Sequence, residues 1–399
     1  MHGPNDPVGP GEEVRERTPQ GVARVAAERP GRADTGPQTV LALGVVDAGG
    51  ADAAGADQSD HTYAALDLGT NNCRLLVARP SRRSFHVIDA FSRIIRLGEG
   101  LGHAGVLSEA AMARTLDALD VCADKMQRRG VTRSRLIATE ACRSARNGRD
   151  FIERVYRHTG MALEIVGRET EARLAVSGCA TLIDRQSDGA LVFDIGGGSS
   201  ELIWIDFIGR ALHNRTDRVD VQDCVKAWTS LPLGVVTLSE KFGGRFVDAA
   251  TFEAMVAHVL ELLTPFEREH QIARQLHRRG AHLLGTSGTV TTMAGIHLGL
   301  KVYDRNRVDG CWLRTDDIRA VTARLLGTNY EGRVAEPCIG RDRADLVLAG
   351  CAILEALMRT WPCDRLRVAD RGLREGILSL LMAEDRANRG RVQRQAAAP

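Results

Sequence analysis

The chain has 399 residues, 44% hydrophobic and 26% charged, enough for two globular domains with separate cores and too long for a small stapled scaffold. Its 53 basic and 51 acidic side chains leave a formal net charge of +2, which argues against a whole-surface grip on DNA or on a membrane, so a polyanionic ligand needs a local basic patch. Nine scattered cysteines without a C-x-x-C pair read as free thiols, and with neither a membrane span nor a signal-peptide pattern the expected location is the cytoplasm.

Residues 1–61 are rich in Gly, Pro, Ala, Asp and Arg, with only Val40 to Val46 apolar, a composition that reads as a disordered tail. From Tyr63, apolar runs ending at Leu68, over Cys73 to Ala78 and around Ser84 to Ile88 predict three strands joined by short turns. Ser108 then opens a helix with Met112, Leu116, Leu119, Ala123 and Met126 on one face, closed by Gly130. A strand Arg135 to Thr139, a helix from about Ala141 to His158 and a strand Leu163 to Val166 complete a βββαβαβ half. The second half starts alike, with strands from Ala190 to Asp194, Ser200 to Ile205 and near Trp228 to Leu231. The polar stretch 209–226 reads as a surface insertion. Helices follow at about Phe252 to His270 and at Asp316 to Leu326 behind a Thr315 cap, with a strand Ala281 to Leu284 between them. The expected domains are 62–174 and 175–388, with the last helix able to pack back on the first domain and a tail at 389–399.

One strand-turn device occurs twice. Tyr63 to Leu66 runs into Asp67-Leu68-Gly69-Thr70-Asn71, and Leu191-Val192-Phe193 runs into Asp194-Ile195-Gly196-Gly197-Gly198-Ser199-Ser200-Glu201. Each strand delivers an Asp to a glycine turn whose amides can face an anion. A single Asp-Gly pair is more often a plain turn, but three successive glycines cost chain entropy that a hairpin does not require. A third loop, Gly285-Thr286-Ser287-Gly288-Thr289, joins a strand to a helix N-terminus, where free amides and the helix dipole favour anions; a tight structural turn explains it equally well.

These blocks, together with Arg371-Gly372-Leu373-Arg374-Glu375-Gly376, resemble the exopolyphosphatase / guanosine pentaphosphate phosphatase (Ppx/GppA) family over about residues 62–385. The resemblance implies an α/β fold of two actin-like domains, of the ribonuclease-H-like, sugar kinase/actin superfold, with an interdomain cleft. It also implies release of terminal phosphate from inorganic polyphosphate, or from pppGpp, with Mg2+ or another divalent cation. By the same resemblance Glu171 is the general base on water, and Asp67, Asp194 and Glu201 gather at the metal. Gly69, Thr70, Asn71, Arg143, Gly196, Gly197, Gly198, Ser199, Ser287, Gly288 and Thr289 would hold phosphate. A carboxylate suits the base role because phosphoanhydride hydrolysis is chiefly positioning of water and screening of charge, although Glu171 also reads as a helix-start acid and Arg143 as an ion-pair partner of Glu140 or Asp150. The chain resembles the short, two-domain form, with Arg371 adding charge beside the site; a homodimer is compatible with it. Two competitors stay open: a kinase of the same superfold, for which no acceptor-site block is visible, and a non-hydrolytic polyphosphate or pppGpp sensor.

Overall fold

The computed structural model describes residues 61–396, apart from 82–83, 185 and 208–220. The expected N-terminal tail, except His61, and most of the expected insertion lie outside the described residues.

Two mixed sheets organise the chain. The first has the order β3-β2-β1-β4-β5, built from β1 (Tyr63–Leu68), β2 (Asn72–Pro80), β3 (Phe85–Ile94), β4 (Arg133–Ala138) and β5 (Glu164–Ile165). β1 runs antiparallel to β2 and parallel to β4, and β4 is parallel to β5. The second has the order β10-β11-β9-β6-β7-β8, built from β6 (Gly189–Ile195), β7 (Ser200–Asp206), β8 (Val225–Leu231), β9 (His282–Thr286), β10 (Trp312–Arg314) and β11 (Arg365–Ala369). Here β6 is antiparallel to β7 and parallel to β9, and β9 is parallel to β11. Strand for strand β6, β7, β8, β9 and β11 repeat β1 to β5, with β10 an added antiparallel edge. The molecule is therefore a doubled actin-like α/β fold.

Apolar side chains on both sheet faces dictate the layers. The helices Glu109–Arg128 and Gly148–Thr159 cover one face of the first sheet through Met112, Leu119, Phe151 and Val155. Ser108 caps the first of these, its hydroxyl accepting from the Ala111 amide at 3.2 Å. The helices Ala249–His270 and Val347–Thr360 cover the outer face of the second sheet. Between the sheets, the helix Arg168–Cys179 lies on the second sheet through Ala172, Val176 and Cys179, while the long helix Leu373–Ala396 returns to the first through Ile377, Leu378 and Met382.

Several local expectations change. The helix expected over Ala141 to His158 is two, Glu140–Ser144 and Gly148–Thr159, because the chain turns so tightly that a Cβ on Gly148 would overlap the Cys142 carbonyl. Residues 221–226 are a short 3-10 turn and the start of β8 rather than insertion. Thr315 lies inside its helix; Arg314 occupies the N-cap position, its amide donating to Asp317 at 3.1 Å.

Candidate active site

The two Asp-bearing turns have the same backbone wiring. The Gly69 amide donates to the Asn72 carbonyl and the Gly196 amide to the Ser199 carbonyl, each at 2.9 Å. Each turn is then braced by a following segment: Gly98 donates to the Thr70 carbonyl and Val236 to the Gly197 carbonyl. Among the described residues the amides of Thr70, Asn71, Gly197 and Gly198 donate to no protein acceptor. None of Gly69, Gly196, Gly197 and Gly198 has positive φ, so glycine is not required there by handedness. It is required by proximity: a Cβ on Gly197 would sit 3.0 Å from the Thr70 Cβ, and one on Gly198 would sit 2.8 Å from the Thr70 hydroxyl. The two turns touch across the lobes.

They form the floor of a cleft holding about 980 Å³ of empty space. Asp67, Glu171, Asp194, Glu201, Gly69, Thr70, Asn71, Gly196, Gly197, Gly198, Ser199, Ser287, Gly288 and Thr289 all line it. Arg143 does not. Its guanidinium is taken by Glu140 (2.5 Å), the Val166 carbonyl (2.7 Å) and Glu171 Oε2 (3.1 Å). Arg143, expected as a phosphate clamp, stands beside Glu171 and donates to its carboxylate. Arg371, expected to add charge beside the site, pairs with Asp309 and does not line the cleft.

Sequence reasoning missed the cations that do line it, Arg74 and Arg343. Neither has an ion pair among the described residues, and a Cβ on Gly288 would lie 4.0 Å from Arg74 Nη2 and 3.9 Å from Arg343 Nη1. Both guanidiniums thus converge on the N-terminus of the helix Gly288–His297, where charge and helix amides act together on an anion. The signal for Arg74 was present as a lone charge inside an apolar strand end. Ser287, preceding that helix, has φ 97°, a left-handed conformation that is costly for a side-chain-bearing residue, and its buried Oγ has no hydrogen-bond partner.

The expected acids are raised in spite of nearby arginines, Arg143 on Glu171 and Arg74 facing Asp67 and Asp194. Burial raises Glu171 well above the usual carboxylate range, with Glu201 adding to the rise and Arg143 opposing it. Burial, reinforced by Glu201, pushes Asp194 up to about 7. Asp67 and Glu201 are raised for the same first reason, although Ser230 donates to Glu201 at 2.9 Å. No described residue hydrogen-bonds the Asp67 or Asp194 carboxylate. Hard oxygens crowded by like charge suit a divalent cation, yet no three His, Cys, Asp or Glu side chains among the described residues converge as a ready-made cage. That donor set fits magnesium, which keeps several waters and takes one or two carboxylates together with substrate phosphates.

Two actin-like lobes thus meet at a cleft lined by paired amide turns, two arginines and five acids. The sequence profile of the Ppx/GppA phosphatase family matches residues 76–384, and the chain belongs to that family. It is 30% identical over 327 residues to the guanosine-5'-triphosphate,3'-diphosphate pyrophosphatase of Photobacterium profundum and 30% identical over 324 residues to that of Vibrio vulnificus, in each case over 81% of this chain. The chain spans 60% and 59% of the length of these relatives. Among solved structures, the Aquifex aeolicus Ppx/GppA family member shares 28% identity at a TM-score of 0.63, and an exopolyphosphatase from Cytophaga hutchinsonii shares its fold at 23% identity and 0.70; each match covers 81% of this chain and 98% of that one.

Proposed function

We propose that the chain is a phosphoanhydride hydrolase that releases the terminal phosphate from inorganic polyphosphate, as an exopolyphosphatase, or from pppGpp. The observation that carries the reading is the confrontation, in one cleft, of a raised, arginine-held Glu171 with free amides and unpaired guanidiniums. Names support both substrates: the Photobacterium and Vibrio relatives are pppGpp pyrophosphatases and the Cytophaga structure is an exopolyphosphatase.

In this reading the amides of Thr70, Asn71, Gly197 and Gly198 cradle the terminal phosphoryl oxygens. Arg74 and Arg343, with the Ser287 to Thr289 turn, hold the next phosphate. Glu171 takes a proton from the attacking water, and a carboxyl raised by burial is suited to that role near neutral pH. Arg143 acts through Glu171 by fixing its carboxylate. Asp67, Asp194 and Glu201 would hold Mg2+, which when bound supplies charge screening at the bridging oxygens.

The test is phosphate release from polyphosphate, pppGpp and ATP by the purified protein with Mg2+, beside Glu171→Gln. The expected result is a loss of about 10²- to 10⁴-fold in kcat, the range of a general base, with binding retained. Near wild-type hydrolysis by Glu171→Gln rejects Glu171 as the base. Binding without cleavage by the wild type leaves the sensor reading standing instead.

A further inference from the structure

One acid of the cleft stands outside the metal and base set. Glu140 begins the short helix Glu140–Ser144 beyond the end of β4, lines the cleft and is buried. A carboxylate there repels phosphate. Although burial pushes it upward, Arg168, Ser144 and Arg143 together hold it below its usual range, so it stays ionised. Its Oε2 accepts from Arg143 Nη2 at 2.5 Å and from Arg168 Nε at 3.2 Å. Its Oε1 accepts from Arg168 Nη2 at 2.9 Å and from the Ser144 hydroxyl at 2.5 Å. Both arginines lead to the base. Arg143 Nη1 donates to Glu171 Oε2 at 3.1 Å, and Arg168 is the first residue of the helix that carries Glu171. The carboxylate of the base and the start of its helix are thus tied to one anion. The same side chain packs on the facing turn, where a Cβ on Gly198 would lie 3.1 Å from Glu140 Cγ.

We infer that Glu140 is a positioning residue for hydrolysis: it keeps Arg143 and Arg168 on the base and off the phosphates, so that Glu171 turns a fixed carboxylate to the attacking water. This inference rests on the hydrolase reading. Arg143 stands between two anions, Glu171 and the substrate. Glu140 and the Val166 carbonyl occupy its other donors, which leaves Nη1 aimed at Glu171. Without the Glu140 charge both guanidiniums turn toward the phosphates. Substrate is then held more tightly in the ground state, which does not speed the chemical step, while the base loses its orientation. Misplacing a reacting group by about 1 Å costs about 100-fold in rate. The repulsion that Glu140 exerts on phosphate is therefore offset by alignment of the base.

The experiment is steady-state phosphate release by the full chain with Mg2+, from inorganic tripolyphosphate and from pppGpp, for the wild type, Glu140→Gln and Glu140→Asp. Glu140→Gln is also made in the Glu171→Gln background, where tripolyphosphate binding is read by calorimetry. Glu140→Gln should lower kcat about 10- to 100-fold without raising KM, and Glu140→Asp, which keeps the charge, should recover part of the loss. With Glu171 already replaced, Glu140→Gln should cost no further kcat, since no base remains to be aligned. It should there tighten tripolyphosphate binding about tenfold, the effect of one released charge-assisted hydrogen bond. Arg168→Ala, at a side chain 39% exposed, carries the test if Glu140→Gln does not fold: kcat should fall at unchanged KM, and Arg168→Lys should restore it. Wild-type kcat in these variants, a raised KM, or a full further loss of kcat in the Glu171→Gln background overturns the positioning role and leaves the hydrolase reading intact. Absence of phosphate release by the wild type overturns the hydrolase reading, and the binding comparison still decides whether Glu140 keeps the arginines off the phosphates.

Discussion

At the scale of single residues, two side chains carry costs that can be measured. Ser287 keeps a left-handed backbone that glycine adopts freely, so Ser287→Gly should raise stability by about 1–2 kcal/mol. The same change removes the unpartnered hydroxyl from the cleft, so affinity for tripolyphosphate should fall as the melting temperature rises. A lowered melting temperature would show that the strain is not where the backbone angle puts it. His282 is fully buried in β9, bonded through Nδ1 to the Ser187 hydroxyl at 2.9 Å and set edge-on to Trp312. Burial pushes it down from its ordinary 6.5 to about 4. The unfolded chain therefore takes up a proton below pH 6.5 that the folded protein refuses until about pH 4. The stability from a neutral His282 is complete above 6.5 and is lost as pH falls toward 4, by up to about 3 kcal/mol. The stability advantage of the wild type over His282→Gln, read by urea unfolding, should be larger at pH 7 than at pH 4.5.

At the scale of elements, the helix that carries Glu171 is fixed by glycine contacts. A Cβ on Gly178 would overlap the Gly372 carbonyl, and one on Gly376 the Leu174 carbonyl, so the helices Arg168–Cys179 and Leu373–Ala396 meet backbone to backbone. Gly376→Ala must push them apart, and overpacking of this kind costs about 1–3 kcal/mol. It should lower the melting temperature by several degrees and, because the shifted helix carries Glu171, lower kcat more than it raises KM. An unchanged kcat in a folded Gly376→Ala protein would separate the helix pair from the site. The glycines of this contact stand in the Arg-Gly-Leu-Arg-Glu-Gly block, legible as a motif but silent about its role. The same division holds elsewhere. The strands of the first sheet were readable as apolar runs bounded by turns, and the helix behind Ser108 by a 3.6-residue stripe that reports one buried face. The helix Val347–Thr360 was not, because it is buried continuously from Val347 to Met358 and has no polar face to set a period. β10, three residues at an edge, is too short to have one. Within the site, the loops that carry Asp67 and Asp194 were legible as local patterns and Glu171 and Glu201 only through the family resemblance, whereas the turn of Arg143 toward Glu171 and the meeting of Arg74 with Arg343 join segments far apart in the chain.

At the scale of the whole molecule, the two lobes touch through the Thr70 and Gly197–Gly198 turns, through the Arg96 and Asp345 fork and through the Gly100 amide on Glu240. Working against these contacts, Asp67, Glu171, Asp194 and Glu201 share one cleft, all raised. Asp194 sets the direction of the pH dependence. Its folded value of about 7 lies above the ordinary 3.8, so between these limits the folded protein holds a proton that the unfolded chain has released. Stability from this group is therefore full below about pH 4 and declines as pH rises through 7, by up to about 4 kcal/mol. A divalent cation held by acids of both lobes, as proposed above, would offset that repulsion and would bind the ionised form, so its effect would grow with pH. Thermal unfolding with EDTA should show lower stability at pH 8 than at pH 6, and added Mg2+ should raise the melting temperature more at pH 8 than at pH 6. Asp194→Asn should narrow the difference between the two pH values, with and without the metal. An equal Mg2+ shift at both pH values would mean that the cation does not engage these carboxylates, and that what draws the lobes together is the arginine and amide contacts alone.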